Sequence, residues 1–256
     1  MRKIFLVNVP LLYPNIEEHI KSIIELKVPI VFTSAGNPNT WTKQLKQNNI
    51  KVVHVVSSVK FALKAESSGV DAIVAEGFEA GGHNGREETT TMCLVPDVAK
   101  AINIPLIAAG GIIDGKSMLA AMILGADGVQ MGTRFVASKE SSAHDNFKDI
   151  VLKAKEGDTR LTLKEITPVR MMKNKFFQEL EEIYKTNPTK EQLLNKLGRG
   201  RAKLGMFEGD LESGELEIGQ ASSQISNVFT AKEIIQQIMT EFNSVKSKMS
   251  TANKFN

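Results

Sequence analysis

LIAAGG at residues 106–111 and GVQMGT at residues 128–133 are two short apolar runs that end in small residues. One helix, predicted over residues 116–124, separates them, as between two successive parallel strands. Glycines at such strand ends let backbone N–H groups approach an anion, and the positive end of a helix adds to the attraction. The pattern predicts a phosphate site at Gly110, Gly111, Gly132 and Thr133. The alternative is that these glycines only permit tight turns.

Short β-branched runs alternate with helical patterns through the first 155 residues, which is typical of parallel βαβ units. Strands are predicted at residues 4–9, 30–34, 51–56, 72–75, 106–111 and 128–133. Helices are predicted at residues 16–26, 41–47, 59–67, 96–102, 116–124 and 146–154. Asn15 and Glu18 are expected to form a capping box on the first helix.

Six βα units are two short of a closed (β/α)₈ barrel, and an open parallel sheet is the alternative. Phosphate sites of such barrels commonly follow the last two strands, and here the last two strands carry the glycines. We therefore expect a TIM-type (β/α)₈ barrel that lacks its first two βα units and ends in a helical and loop arm.

The pattern changes after residue 155, and we predict three parts. Residues 1–155 form the barrel portion, residues 156–230 a helical and glycine-rich cap or arm, and residues 231–256 a docking helix with a frayed tail. The docking helix is predicted from its N-cap Thr230 to about Phe242, with fraying from Ser244 onward. Residues 164–175 are expected to form a loop.

Composition excludes several classes of protein. The 256 residues are 42% hydrophobic and 24% charged, with a net charge of +3, which is small for a nucleic-acid-binding protein. No apolar run approaches the roughly twenty residues of a membrane-spanning helix, and we expect a cytoplasmic protein. The single cysteine, Cys93, excludes an internal disulfide framework. Three of the four histidines, His19, His54 and His144, lack the spacing of metal ligands, so no metal is expected.

His83 and Asn8 are the polar residues that the pattern singles out for chemistry. His83 follows two glycines beyond a predicted barrel strand, where such folds place catalysis, and imidazole titrates near neutral pH. Asn8 stands inside an apolar strand, where an unpaired buried amide would cost roughly 1 to 3 kcal/mol. Asn8 is therefore expected to bond a neighbouring loop or a ligand.

The motifs together resemble the nitronate monooxygenase family, also called 2-nitropropane dioxygenases, whose relatives include the FMN-dependent enoyl-acyl-carrier-protein reductase II. The resemblance spans about residues 5–242. It is carried by VNV at 7–9, SAGNP at 34–38, EGFEAGGHNG at 76–85, AAGGIIDG at 108–115, QMGTRF at 130–135 and PVRMMKN at 168–174.

The resemblance implies a flavin site within this barrel. FMN would bind its phosphate at the glycines named above, with Gln130 and Met131 along the same edge. Asn8 would bond the flavin ring, Glu76 would lie near the ribityl chain, and Gly81 and Gly82 would help to form the cofactor site. His83 would be the catalytic base. Family members usually begin with two further βα units.

Three functions are compatible with this resemblance. The first is oxidation of alkyl nitronates by O₂ with FMN. The second is reduction of an enoyl thioester on acyl carrier protein, with NAD(P)H as the reductant of FMN. The third is a truncated, non-catalytic flavin- or phosphate-binding protein.

Apolar surface on the arm and on an open barrel flank also suggests a homodimer.

Overall fold

The computed structural model describes residues 5–251. In chain order its elements are β1 (Leu6–Pro10), α1 (Ile16–Glu25), β2 (Ile30–Ser34), α2 (Thr42–Gln47), β3 (Lys51–Val56), α3 (Val59–Ser67), β4 (Ala72–Glu76), β5 (Gly82–His83), α4 (Thr91–Ala101), β6 (Leu106–Ala109), α5 (Gly115–Ile123), β7 (Gly128–Gln130), α6 (Thr133–Val136), α7 (Asp145–Leu152), β8 (Thr159–Thr162), β9 (Val169–Met172), α8 (Lys175–Tyr184), α9 (Lys190–Leu197), α10 (Arg201–Met206) and α11 (Ala231–Thr251).

These residues form two compact units. The sheet unit comprises residues up to 77, 89–109 and 121–130, and the arm unit comprises residues 78–88, 110–120 and 131 onward. The domain boundaries predicted at residues 155 and 230 stay predictions.

The sheet unit is built on a six-stranded parallel sheet in the order β1-β2-β3-β4-β6-β7. All six strands were predicted, although Ile4, where the first was expected to begin, lies outside the described residues. The order follows the chain without the mid-sheet reversal of a doubly wound fold, which favours the barrel arrangement over the open-sheet alternative. The absence of two βα units stays a prediction.

The two faces of this sheet differ in burial. Val31, Val52, Ile73 and Leu106 lie on one face and are almost fully buried, because helices α1 to α4 pack along these strands. Register partners in a parallel sheet share a face. The pairs Asn8–Phe32, Phe32–Val53, Glu76–Ala109 and Ala109–Gln130 define the other face. Several of its side chains are only partly buried.

The arm unit contains a three-stranded antiparallel sheet in the order β5-β9-β8. The predicted loop over residues 164–175 is therefore wrong for Val169–Met172, which is strand β9 with all four residues buried. A strand of this length shows no polar–apolar alternation, and one of its two partners, β5, is distant in sequence, so no local pattern indicated it. Phe176, Leu180 and Leu193 of α8 and α9 pack against Val169 and Met171 in a core cluster.

Two helix boundaries and one helix cap differ clearly from those predicted. Helix α4 begins at Thr91 and contains Pro96 in its interior, so the start predicted at Pro96 is wrong. Helix α11 continues to Thr251, well beyond Phe242, and the fraying predicted from Ser244 is wrong through residue 251. The Asn15 capping box is also wrong, because the side chain of Asn15 makes no capping bond and its backbone is not extended.

The cap predicted at Thr230 is confirmed. Glu233 N donates to Thr230 Oγ1 at 3.2 Å, and Thr230 N donates to the Glu233 carboxylate at 2.8 Å. These reciprocal bonds form a capping box that satisfies two backbone donors at the start of α11. Within residues 5–251, no helix is both long enough and apolar enough to cross a membrane.

His54 should make the stability of the sheet unit depend on pH. It is 5% exposed, its Nδ1 lies 2.7 Å from Thr33 Oγ1, and burial lowers its pKa to about 4. Between pH 6.5 and 4 the unfolded chain therefore binds more protons than the folded chain. The contribution of neutral, buried His54 to the stability of the folded state is complete above pH 6.5 and is lost as the pH falls. The free energy of unfolding should lose about 3 kcal/mol over this window through His54.

Urea denaturation across pH 4 to 7 measures this effect. His54→Asn should flatten the pH dependence relative to the wild type, whereas His19→Gln on α1 should leave it unchanged. Identical slopes for His54→Asn and the wild type would contradict the assignment.

Candidate active site

The two glycine loops of the arm unit differ in backbone conformation. Gly110 and Gly111 have φ angles of +97° and +71°, in the left-handed region that side chains disfavour. Gly132 has an ordinary φ of −92° and precedes α6. A Cβ placed on Gly132 would meet nothing within 4 Å, so the space beside this glycine is open.

Glu79 lies against the first of these loops. A Cβ built on Gly111 would be 3.2 Å from Glu79 Cβ and 3.4 Å from its Cγ. A carboxylate beside Gly111 opposes a phosphate at that position, since like charges repel. The Gly132 end of the predicted phosphate site is therefore the more favourable one. Sequence reasoning did not single out Glu79, which stands in the same motif as His83.

His83 is exposed on strand β5, where it pairs with Val169 of β9. The preceding residue, Gly82, has a φ of +76° and is buried. A Cβ on Gly81 would lie 2.5 Å from the carbonyl carbon of Ile218, so Gly81 is required for close backbone packing. The geometry thus presents the imidazole to solvent on a strand that is fixed by pairing and by glycine contacts.

The segment of residues 216–220 holds the site loops in place. Met172 N donates to Leu216 O at 2.9 Å, and Glu217 forms an antiparallel bridge to Met171. Gly219 N donates to Thr133 Oγ1 at 3.1 Å, and Gln220 N donates to Glu79 O at 2.9 Å. The predicted arm therefore connects the loop that precedes His83 with the loop after β7.

Arg170 is a buried cation beside the same loop, with 1% of its surface exposed. Its Nε and Nη2 donate to Phe78 O at 3.1 and 2.9 Å, and its guanidinium stacks on the Phe78 ring at 4.4 Å. Burial lowers the pKa of Arg170, while the charges of Glu79 and Glu88 raise it. Arg170 thus fixes the backbone at the start of the loop that carries His83.

Two carboxyl groups of residues 215–217, the buried Glu215 and the partly buried Glu217, were not predicted. Burial raises the pKa of Glu217, and the charge of His83 acts in the opposite direction. Burial, reinforced by Glu217, raises the pKa of Glu215 to about 7. Both belong to the glycine-rich arm, where a charged residue in sequence gives no sign that it will be buried. Within residues 5–251, no cluster of three His, Cys, Asp or Glu side chains is arranged to hold a metal.

The remaining predicted residues belong to the sheet unit or its border. Asn8, Glu76 and Gln130 lie on the same face of the parallel sheet, and Met131 follows Gln130 directly. Asn8 is exposed, so the argument that a buried amide needs a partner does not apply to it. Burial raises the pKa of Glu76 to about 7, so its carboxyl group can either donate or accept a proton near neutral pH.

Comparison with known proteins identifies the family. The sequence model of the nitronate monooxygenase family matches residues 7–241. The chain belongs to this family. A Staphylococcus aureus strain MRSA252 protein named "Probable nitronate monooxygenase" is 36% identical over 237 residues, which cover 89% of this chain and 66% of that protein. The chain thus spans slightly less than two thirds of that relative's length.

Solved structures agree with this assignment. The structure of FabK from Thermotoga maritima is 42% identical with a TM-score of 0.90, covering 98% of this chain and 79% of that one. A nitroalkane oxidase from Streptomyces ansochromogenes has a TM-score of 0.81 over 97% of this chain and 83% of that one. At 24% identity, the second likeness shows the fold alone.

In this nitronate monooxygenase family member, Gly219 should be intolerant of even one added methyl group. Its φ of −77° suits any residue, but an alanine Cβ would lie 2.7 Å from Thr133 Oγ1 and 2.9 Å from Glu79 O. Gly219→Ala should therefore lower the free energy of unfolding by about 1 to 3 kcal/mol.

Gly128→Ala is the matched control, because its Cβ would meet nothing within 4 Å. Urea denaturation of both variants makes the comparison. Equal stability of the two would show that residues 216–220 do not pack against the site loops as described.

Proposed function

We propose that the chain is an FMN-dependent oxidoreductase that oxidises alkyl nitronates with O₂, and that His83 is its catalytic base. The observation that carries the proposal is the exposed imidazole of His83 on β5, in the same compact unit as the open glycine Gly132. Membership of the nitronate monooxygenase family supports the reaction class.

The residues fit FMN at the glycine loops. The space beside Gly132 would be filled by any side chain, and backbone N–H groups at the start of α6 are suitable donors to a phosphate. Gly132 and Thr133 would hold the phosphate, with Gly110, Gly111 and Met131 contributing to the same loops. When bound, the flavin supplies the electron-transfer chemistry that side chains cannot.

His83 would remove the α-proton of a neutral nitroalkane and so generate the nitronate. The C–H bond breaks, its electron pair remains on the substrate, and the proton forms an N–H bond on the imidazole ring. A substrate supplied as the nitronate has already lost this proton. The base is therefore needed for one form of the substrate and not for the other.

Within the sheet unit we assign cofactor contacts to Asn8, Glu76 and Gln130. These three residues share one face, which is the partly buried one. Glu76 is suited to hydroxyl groups, because a carboxyl with a pKa of about 7 can donate or accept a hydrogen bond near neutral pH. Gly81 and Gly82 would act indirectly, since both pack against residues 217–219.

The second candidate function is the FMN-dependent reduction of an enoyl thioester by NAD(P)H. It is favoured by the likeness to FabK, which has a higher identity to this chain than the nitroalkane oxidase has. Anaerobic mixing of the FMN-loaded protein separates the two functions. Rapid bleaching by NAD(P)H supports the reductase, whereas bleaching by a nitronate alone supports the monooxygenase. A protein that binds FMN and is bleached by neither contradicts both.

Replacing His83 should separate the two forms of the substrate. His83→Ala should lower the oxidation of a neutral nitroalkane by about 100-fold or more, because general base catalysis typically contributes that much. Oxidation of the corresponding nitronate should be nearly unchanged. Oxygen consumption with both substrates measures the effect, with His19→Ala as the control. Equal losses for both substrates would argue against a base at this position.

Filling the space at Gly132 should weaken FMN binding. Gly132→Ala should raise the Kd for FMN moderately and Gly132→Val by about tenfold or more, which corresponds to about 1.4 kcal/mol. Quenching of flavin fluorescence measures Kd. The thermal unfolding midpoint without FMN should not change, since the space is open. Unaltered affinity in the valine variant would place the phosphate elsewhere.

A further inference from the structure

Residues 216–217 and strand β5 occupy successive positions along the same edge of strand β9. Gly82 pairs with Arg170 and His83 with Val169, while Glu217 bridges the next residue, Met171. The bond from Met172 N to Leu216 O, at 2.9 Å, continues this line. Main-chain hydrogen bonds to one strand therefore fix the backbones of both His83 and Glu217.

The Glu217 side chain extends from this edge toward β5. A Cβ built on Gly82 would lie 2.6 Å from Glu217 Oε2, so the carboxylate occupies the space that a side chain at residue 82 would need. Gly82 is the neighbour of His83 in the chain. The absence of a side chain at residue 82 thus lets a carboxylate approach the strand that carries the imidazole.

We propose that Glu217 is a positioning residue for His83, whose carboxylate stabilises the imidazolium that forms when His83 takes up a proton. This inference rests on the proposed function, in which that proton comes from the α-carbon of a nitroalkane. Glu217 does not exchange the proton itself. It lowers the free energy of the charged imidazole, which is the product side of the proton transfer.

The surrounding charges support the pairing. His83 is the cation that counteracts the burial of Glu217 and lowers the pKa of that carboxyl. The charge of Arg201 instead lowers the pKa of Glu215, which lies on the same segment as Glu217. Arg170 of β9 donates to Phe78 O, and its charge is coupled to Glu79 and Glu88. Among the described residues, His83 is therefore the cation whose charge bears on Glu217.

Carboxyl ¹³C NMR of the flavin-free protein tests the pair directly. His83→Gln should raise the pKa of Glu217 above its wild-type value, because the opposite charge is removed. His19→Gln is the control and should leave the titration of Glu217 unchanged. This experiment keeps Glu217 in place and does not depend on enzyme activity. An unchanged Glu217 titration in His83→Gln would overturn the proposal.

Kinetics of the FMN-loaded protein test the consequence. Glu217→Gln should lower kcat/KM for a neutral nitroalkane by about tenfold and spare nitronate oxidation, while Glu217→Asp should restore part of the loss. The control Glu215→Gln should have a smaller effect. Equal losses with both substrates in Glu217→Gln would overturn the positioning role. A wild-type protein that oxidises neither substrate would contradict the proposed function, and the carboxyl titration would still decide whether the two side chains interact.

Discussion

The arm unit depends on one shared edge of strand β9. Gly82 and His83 pair with one part of this edge, and residues 216–217 continue along it. A two-residue strand has too few hydrogen bonds to be stable alone. Its position is fixed because Gly81 packs on Ile218 and because Arg170 binds the carbonyl group of Phe78 just before it. The candidate catalytic histidine is thus held by tertiary contacts on both sides of its strand.

Burial of charge follows from this arrangement. Arg170 is buried beside the loop that carries His83. The free-energy cost of burying its charge is reduced because its guanidinium has a carbonyl acceptor and an aromatic ring beside it. Glu215 and Glu217 are desolvated on the facing segment, and burial raises the pKa of each. Perturbed carboxyl groups beside a histidine are typical of functional sites, although structural networks produce them too. The charge of His83 acts on Glu217, and the charge of Arg201 acts on Glu215. Electrostatic interactions therefore connect the loop that carries His83 with the buried carboxyl groups of the arm.

The sequence predicted the parallel sheet well and the antiparallel sheet not at all. Strands β2 and β3 are continuous β-branched runs flanked by helical patterns, and the structure has them at the predicted residues. Strands β5 and β9 are short, lack alternation and pair with each other across a wide separation in sequence, so their formation depends on tertiary contacts. The importance of Glu217 was hidden for the same reason. Its surroundings come from Gly82 and Met171, which are remote in sequence. For Asn8, an apolar neighbourhood in sequence was wrongly equated with burial.

The glycines of the shared motifs show why a motif does not identify a ligand site by itself. In sequence, Gly81 and Gly132 are equivalent small residues near strand ends, and Gly219 is one of several glycines in the arm. In the structure, Gly81 and Gly219 are needed because backbone from other segments fills the space that a side chain would take. Gly111 combines a left-handed backbone with close contact to Glu79. Gly132 has neither constraint, so nothing in the described structure explains why its side chain is absent. Because folding does not require Gly132, a bound ligand would account for its open side, which is why the phosphate proposal depends on Gly132 more than on Gly110 and Gly111.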